Sequence, residues 1–480
     1  MPNQSLGRKK TFNEYIYSLG QEISPSFSLQ FLVKGKGKIQ AKELEEAIAI
    51  LAQKLPQLRI QSKGMYWSFK GELPEVIVHD EKLREDLNQE FFRRKLPNAK
   101  GALMEFHLFA ESSLLFRIHH SVVDAKGAQI ILTGLFSLLR KDEPSIYSGF
   151  DADGNVRDHL LSVPVKSQAS YRFEWPGFFL SPNPIDYQTQ LIDLPLKLEA
   201  PLAKLAVWYA RMFGDDSRMM IPVDLRRHQG VKQVVSNLSL PIYLPVSRKN
   251  SWQEVQAKLL YALNEKAELK TDRWEKIGMV IPRFMLMTLM KMGIRRAKSF
   301  KSFPMSGILS DNGSIKLADY STPNFRASEL ISLPVFIPLA PFCANVILQE
   351  NRCLICCSFP LHLDGQQIRR EIIESLMEDQ MTEEKEEAYF EISGADFEEL
   401  KKLWIDILEC SPEVVDANEK FHNLGGDSLK LLSMLSELAV DFQLEPQSSF
   451  VNQALNTGGD LNIRQLIQIM EPFRTSKQSL

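Results

Sequence analysis

Residues 118–127 read Ile-His-His-Ser-Val-Val-Asp-Ala-Lys-Gly. The stretch opens at the end of Leu114–Ile118, an apolar run of the length and composition of a short strand. It closes where Ala128–Leu139 begins, a segment apolar nearly all round and so expected to be a buried helix. Two of the chain's 8 histidines, His119 and His120, thus stand side by side on a strand-to-helix connection, with Asp124 four residues beyond the second. Groups at strand ends are held rigidly yet stay reachable. Imidazole titrates nearest to neutral pH, which suits it to act as a general base. A histidine pair alone fits a satisfied core position equally well, so its companions in the chain decide.

Working outward, Phe27–Lys34 reads as a strand and Ala41–Leu55 as an amphipathic helix. Pro201–Phe213 predicts a helix with proline at the first position, where its missing N–H costs nothing. Leu238–Leu244 alternates as a strand, Cys353–Phe359 is a second strand, and Gln366–Met377 a helix. This describes a large mixed α/β body in two halves. Beyond the charged junction Met381-Thr-Glu-Glu-Lys-Glu-Glu387 the pattern changes to three helical segments, Phe397–Leu408, Ser428–Ala439 and Ile463–Met470. They have the size of a small helical bundle.

The 480 residues, 44% hydrophobic and 24% charged, have the composition of a globular protein, which excludes a collagen, a disordered chain and a small disulfide scaffold. Charge is uneven. Residues 381–480 carry 19 Asp and Glu against 8 Lys and Arg, a net of −11, and the rest carry 41 against 49, a net of +8. A basic body and an acidic tail are suited to meet each other or partners of opposite sign. Overall the net charge is −3, so nothing global points to nucleic acid or an anionic membrane. Five cysteines, three of them in the apolar run Cys353–Cys357, fit a buried strand in a reducing compartment; a zinc site needs a second pair that the sequence lacks. Met1–Phe12 carries lysines but no apolar h-region or small-residue cleavage site, so no secretory signal is expected. The longest apolar stretch, Ile277–Ile294, is interrupted by Pro282, Arg283 and Lys291, so no transmembrane segment is expected and the location is read as cytoplasmic. Met279, Met285, Met287, Met290 and Met292 in that stretch are expected to pack in the core, with an adaptable acyl-binding surface as the other reading. Lys291, Arg295, Arg296, Lys298 and Lys301 form a basic patch, either a docking surface or a solvated helix end.

The segment His119-His120-Ser-Val-Val-Asp124-Ala125 resembles the HHxxxDG signature of the chloramphenicol-acetyltransferase-like superfamily, which includes the condensation domains of nonribosomal peptide synthetases and many ester-forming acyltransferases. Two later segments are similar to the same family. Ile221-Pro-Val-Asp-Leu-Arg-Arg227 followed by Asn237 looks like its PVDLR…N region, and Ser310-Asp-Asn-Gly313 like its Ser-Asn-x-Gly loop. The resemblance covers roughly residues 10–380. It implies a two-lobed α/β (α+β) chloramphenicol-acetyltransferase-like body, with an N-lobe at 1–185 and a C-lobe at 186–380. It further implies His120 as general base toward an amine or hydroxyl attacking a thioester, and Asp124 as a structural residue paired with Arg226. His119 would support the loop through a hydrogen bond. Ala125 stands where the family has glycine. If that position needs φ > 0, alanine there is strained by about 1–2 kcal/mol, with Gly127 able to take the turn instead. His79, His107, His159 and His228 are isolated in sequence and receive no role, and His362-Leu-Asp364-Gly365 stays unassigned.

In the tail, Phe421-His-Asn-Leu-Gly-Gly-Asp-Ser-Leu-Lys430 opens an apolar-periodic helix. An N-cap explains Asp427 or Ser428 but not the Leu-Gly-Gly before them. The stretch, with Leu403-Trp404 upstream, resembles the attachment motif of acyl and peptidyl carrier domains over roughly 394–470, after a linker at 381–393 and before a tail at 471–480. The resemblance implies covalent 4′-phosphopantetheine on Ser428, with Asp427 and Leu429 beside it. A phosphate is favoured at a helix N-terminus. The implied partners are a phosphopantetheinyl transferase, a loading enzyme acting in trans, and an upstream carrier or acyl-CoA as donor. The whole reads as a condensation-type acyltransferase with its own carrier. Two further readings use the same residues: an inactive condensation-like platform that recruits enzymes to the carrier, and a CoA-dependent alcohol O-acyltransferase. In an intact-mass measurement with a promiscuous phosphopantetheinyl transferase and CoA, the chain is expected to gain one phosphopantetheine and Ser428→Ala none. No gain in the parent chain would leave the tail a docking domain.

Overall fold

The computed structural model describes most of the chain; outside the described residues lie 1–6, 25–26, 97–102, 145–172, 175–186, 215–216, 229–233, 270–280, 384–393, 445–449, 455–460 and 474–480, with scattered further positions. Its principal helices are α1 (Phe12–Ile23), α2 (Ala41–Lys54), α3 (Ala125–Leu139), α4 (Pro201–Phe213), α5 (Trp252–Asn264), α6 (Arg283–Phe300), α7 (Gly365–Glu383), α8 (Gly394–Leu408), α9 (Ser428–Asp441) and α10 (Ile463–Met470). Its principal strands are β1 (Ser28–Gly37), β2 (Glu75–His79), β3 (Met104–Phe109), β4 (Ser113–His119), β5 (Tyr187–Leu194), β6 (Ser217–Asp224), β7 (Ser239–Val246), β8 (Gly307–Ile315), β9 (Phe325–Leu333), β10 (Phe342–Gln349) and β11 (Arg352–Pro360).

The strands form two mixed sheets, one of five in the order β9-β1-β4-β3-β2 and one of six in the order β7-β6-β8-β10-β11-β5. In the first, β1 runs antiparallel to β4 with Ser28 opposite His119, and antiparallel to β9, a strand from late in the sequence. Strand β4 is central and its apolar residues are buried on both faces, so its register is fixed by packing. Leu44, Ile48 and Leu51 of α2 and Ile131, Leu135 and Phe136 of α3 bury against Phe31, Phe106 and Phe116 of this sheet. Phe106 and Phe116 stack across β3 and β4 with ring centroids 4.7 Å apart. The result is that His119 ends a rigid central strand and His120 is the first residue beyond it.

The chain divides into two compact units, one of residues 1–198, 217–243 and 268–371, the other of 199–216, 244–267 and 372–480. The second unit holds α4 and α5 together with the tail helices α8, α9 and α10. Its core gathers Trp404, Phe421, Leu435, Leu438, Leu466 and Ile467, and Leu260 of α5 joins the same cluster. The tryptophan and phenylalanine quoted from the sequence meet edge to face at 5.1 Å.

Four expectations change. Helix α3 begins at Ala125, three residues before the apolar run suggests, because the Asp124 side chain caps it. Ser310–Gly313 is not a loop but part of β8, where a register shift follows Asp311 and Gly313 takes φ +77. Of the methionines, Met287 is buried, but Met285 and Met292 are exposed on α6 together with Phe284 and Leu289; Met279 lies outside the described residues. His79 and His107 are not isolated, since parallel pairing of β2 and β3 brings their rings to a 3.0 Å nitrogen contact, and His228 Nε2 lies 2.8 Å from Glu268. His159 lies outside the described residues. The thiols of Cys353 and Cys357 are pushed up to about 12 by burial in β11. No helix among the described residues is long and apolar enough to cross a membrane.

Phe116→Ala removes a wholly buried ring and is expected to cost about 3–5 kcal/mol in denaturant unfolding. Tyr261→Ala, at a position 65% exposed, should stay within about 0.5 kcal/mol.

Candidate functional site

His120 is placed by the end of β4 and oriented by its own loop. Its Nδ1 lies 3.2 Å from the Val123 carbonyl oxygen, which can only accept, so Nδ1 carries the proton and Nε2 keeps its lone pair. The ring stacks on Phe27 at 5.5 Å and tilts against Tyr17 at 4.7 Å. Burial among these rings lowers its pKa, against the raising effect of backbone contacts and of Asp124. A neutral imidazole whose Nε2 has no partner among the described residues can take a proton from a nucleophile.

His119 faces the opposite way in hydrogen-bonding terms. Its Nδ1 accepts from the Ser121 backbone N–H at 3.1 Å and lies 2.6 Å from Ser121 Oγ, so the ring proton sits on Nε2. Burial, followed by the nearby His120, Lys10 and Lys95, pushes its pKa down to about 3. With its proton fixed on Nε2, it is a poor candidate for the base.

Asp124 is fully engaged. Oδ1 accepts from the Gly127 N–H at 2.7 Å, and Oδ2 accepts from the Leu238 N–H at 2.7 Å and from Arg226 Nη1 at 2.9 Å. Arg226 also donates through Nη1 to Asp224 at 2.7 Å, through Nε to the Val234 carbonyl and through Nη2 to the Ser236 carbonyl. Burial opposes its charge, but the two carboxylates outweigh that and raise its pKa; burial and the charge of Asp124 raise that of Asp224. Asn237 Nδ2 donates to the His120 carbonyl at 2.6 Å. The segment 234–238 thereby clamps the histidine loop.

Ala125 has no left-handed backbone here; it is the first residue of α3. Gly127, not position 125, needs to be small. A Cβ at Gly127 would lie 3.1 Å from Val123 Cβ and 3.3 Å from the Ser236 carbonyl oxygen. Asn312 is buried, and its backbone carbonyl accepts from Gln129 Nε2 at 2.9 Å. Sequence reasoning missed Tyr17 and Phe27, whose contacts with His120 come from distant positions, and Ser121, whose bond to His119 two residues back is set by the loop conformation.

In the tail, Ser428 is the first residue of α9. The turn before it folds against the core, with the Gly426 N–H donating to the Phe421 carbonyl at 3.0 Å. A Cβ on Gly426 would fall 2.2 Å from the Phe421 ring, so only glycine fits. Asp427 and Gly425 lie outside the described residues. A serine opening a 14-residue helix after such a turn fits a phosphate ester, since the N-terminal backbone donors favour an anion.

Residues 398–461 match the family described as the phosphopantetheine attachment site. No curated protein matches the chain. Among solved structures, it is similar to the condensation domain of the Monacolin K polyketide synthase MokA, with a TM-score of 0.54 and 14% identity over 78% of this chain and 96% of that one. It is also similar to a variant of the starter condensation domain of the rhizomide synthetase RzmA in complex with C8-CoA and Leu-SNAC, with a TM-score of 0.52 and 14% identity over 77% and 94%. The chain therefore joins a mixed α/β condensation-domain fold to a C-terminal phosphopantetheine carrier domain. A domain of that carrier family bears 4′-phosphopantetheine covalently on a serine and receives it from a phosphopantetheinyl transferase.

Both histidines have lowered pKa values, so the unfolded chain binds more protons below the ordinary imidazole value of 6.5. Stability is complete above that pH and is lost as pH falls through it, for His119 down to about 3. Denaturant unfolding between pH 7 and pH 5 is expected to lose up to about 1.4 kcal/mol per pH unit for each such histidine. The slope should flatten in His119→Gln; equal slopes would contradict the assignment.

Proposed function

We propose that the chain is a condensation-type acyltransferase whose own carrier bears one of the reacting groups. The observation that carries the reading is the His120 ring, neutral, with Nδ1 occupied by the Val123 carbonyl and Nε2 without a partner among the described residues, between Phe27 and Tyr17 at a strand end. In the proposed step an amine or hydroxyl attacks the carbonyl of an acyl thioester. His120 Nε2 takes the proton of the nucleophile, the new C–N or C–O bond forms, the C–S bond breaks, and the proton passes to the leaving thiolate. Asp124 and Arg226 act as structural residues that hold the loop. Removing one member of a buried, hydrogen-bonded pair costs about 3–5 kcal/mol, so their variants would lose activity through the fold.

The domain reading follows: an N-lobe at 1–185, a C-lobe at 186–380, a linker at 381–393 and a carrier at 394–470. Ser428 is the proposed attachment site, and phosphopantetheine supplies the thiol that holds acyl groups as thioesters. Tethering raises the effective concentration of that group near the body. Acyl groups reach the carrier through a loading enzyme in trans, and the donor is an upstream carrier or an acyl-CoA. An exposed face of α6 suits an acidic carrier as partner, because Phe284, Met285, Leu289 and Met292 lie there with the exposed Lys291, Arg295 and Arg296.

Turnover of an acyl-loaded holo-chain with a panel of amines and alcohols is the test. His120→Ala is expected to fold normally and lose about 10²–10⁴-fold in rate. In the parent protein kcat/KM should fall on the acid side only below pH 6.5, because burial lowers the His120 pKa. Unchanged turnover in His120→Ala would favour a recruiting platform, and transfer from acyl-CoA to a free alcohol alone would favour an O-acyltransferase.

A further inference from the structure

On the His119 side of the histidine loop a cleft of about 290 Å³ is lined by Lys10, Lys95 and Arg283, with Glu22 as the one carboxylate among the described residues of its wall. Arg283 is held by Glu22 in an ion pair. That leaves the cleft positive, with Lys10 at its base and Lys95 exposed at its rim.

Lys10 is the unusual member. It is 2% exposed, and its Nζ donates to Ser62 Oγ at 2.7 Å and lies over the Trp67 ring at 4.2 Å. Other buried cations of the same unit have carboxylates in contact: Arg8 has Glu14, Arg117 has Glu105, and Arg226 has Asp124 and Asp224. Lys10 has none within ion-pair distance among the described residues. An ammonium has three donors, and a buried charge without a counter-charge is unfavourable. Burial lowers the Lys10 pKa to about 8, against the pull of Glu14, so the group remains mostly charged at neutral pH. His119, also 2% exposed, lines the same cleft. Ser121 occupies its Nδ1, which leaves Nε2–H as a donor without an acceptor among the described residues.

We propose that this cleft binds an anionic group, a carboxylate or a phosphate, through the Lys10 ammonium and the His119 Nε2–H, with Lys95 adding attraction at the rim. The site stands on its own geometry; reading its ligand as part of a transfer substrate rests on the proposed function. The anion has two sources of the same chemistry, the phosphate of a pantetheine arm or a free carboxylate on the acyl donor or the acceptor. In either case the first histidine of the pair binds while the second accepts a proton.

Calorimetric titration of the full-length apo chain with 4′-phosphopantetheine, pantetheine and glutarate tests it. At least one anion is expected to bind, with Kd raised tenfold or more in Lys10→Met and severalfold in Lys95→Glu, while Lys10→Arg stays within about threefold of the parent. Preference for 4′-phosphopantetheine over pantetheine identifies the phosphate arm, and preference for glutarate identifies a substrate carboxylate. No binding of either anion to the parent chain, or unchanged Kd in Lys95→Glu and in folded Lys10→Met, would overturn the proposal. Lys95 is exposed, so its variant keeps the test open if Lys10→Met fails to fold. Because binding is read without turnover, this result is independent of whether His120→Ala abolishes acyl transfer.

Discussion

The contact on which the arrangement around His120 depends is the buried pair of Asp124 and Arg226, 102 residues apart in the chain. Two charges out of water are costly unless every donor and acceptor finds a partner. Here Asp124 caps α3, accepts from the Leu238 backbone and meets the guanidinium, while Arg226 spends its other donors on Asp224 and two carbonyls. The pair is therefore a device of position more than of stability. It fixes the start of α3 and sets the segment 234–238 against the histidine loop, where Asn237 grips the His120 carbonyl.

Two adjacent histidines with the same intrinsic chemistry come out with opposite tautomers. Ser121 presents donors to His119 Nδ1, whereas Val123 presents a carbonyl to His120 Nδ1. One ring is left with a donor and the other with a lone pair. Burial keeps both neutral, which is what lets a hydrogen-bond donor and a proton acceptor stand next to each other without mutual repulsion.

The tail follows a different logic. Its core is built from Trp404, Phe421 and the apolar stripe of α9, and the residue opening that helix is held by a turn that leaves no room for a side chain at Gly426. The α6 face shows how composition alone misleads. A methionine-rich run reads as core, but helical geometry turns Met287 inward and Met285 and Met292 outward beside basic residues.

The sequence by itself determined the mixed α/β body, the helical tail, the histidine pair at a strand end and the carrier motif. These are encoded locally, in side-chain periodicity and in contiguous residues whose chemistry is plain from their order. Pairing Arg226 with Asp124 was legible only through resemblance, because nothing in spacing links positions 102 apart. Only the tertiary structure decided the tautomers of His119 and His120, the aromatic walls of Tyr17 and Phe27, the joining of His79 to His107, and the burial of Lys10 without a carboxylate among the described residues. The tautomers depend on how the loop turns Ser121 and Val123 onto the two rings, and the rest on which groups from distant strands and loops arrive in contact. That is fixed by sheet register and packing, which the linear order of residues does not display.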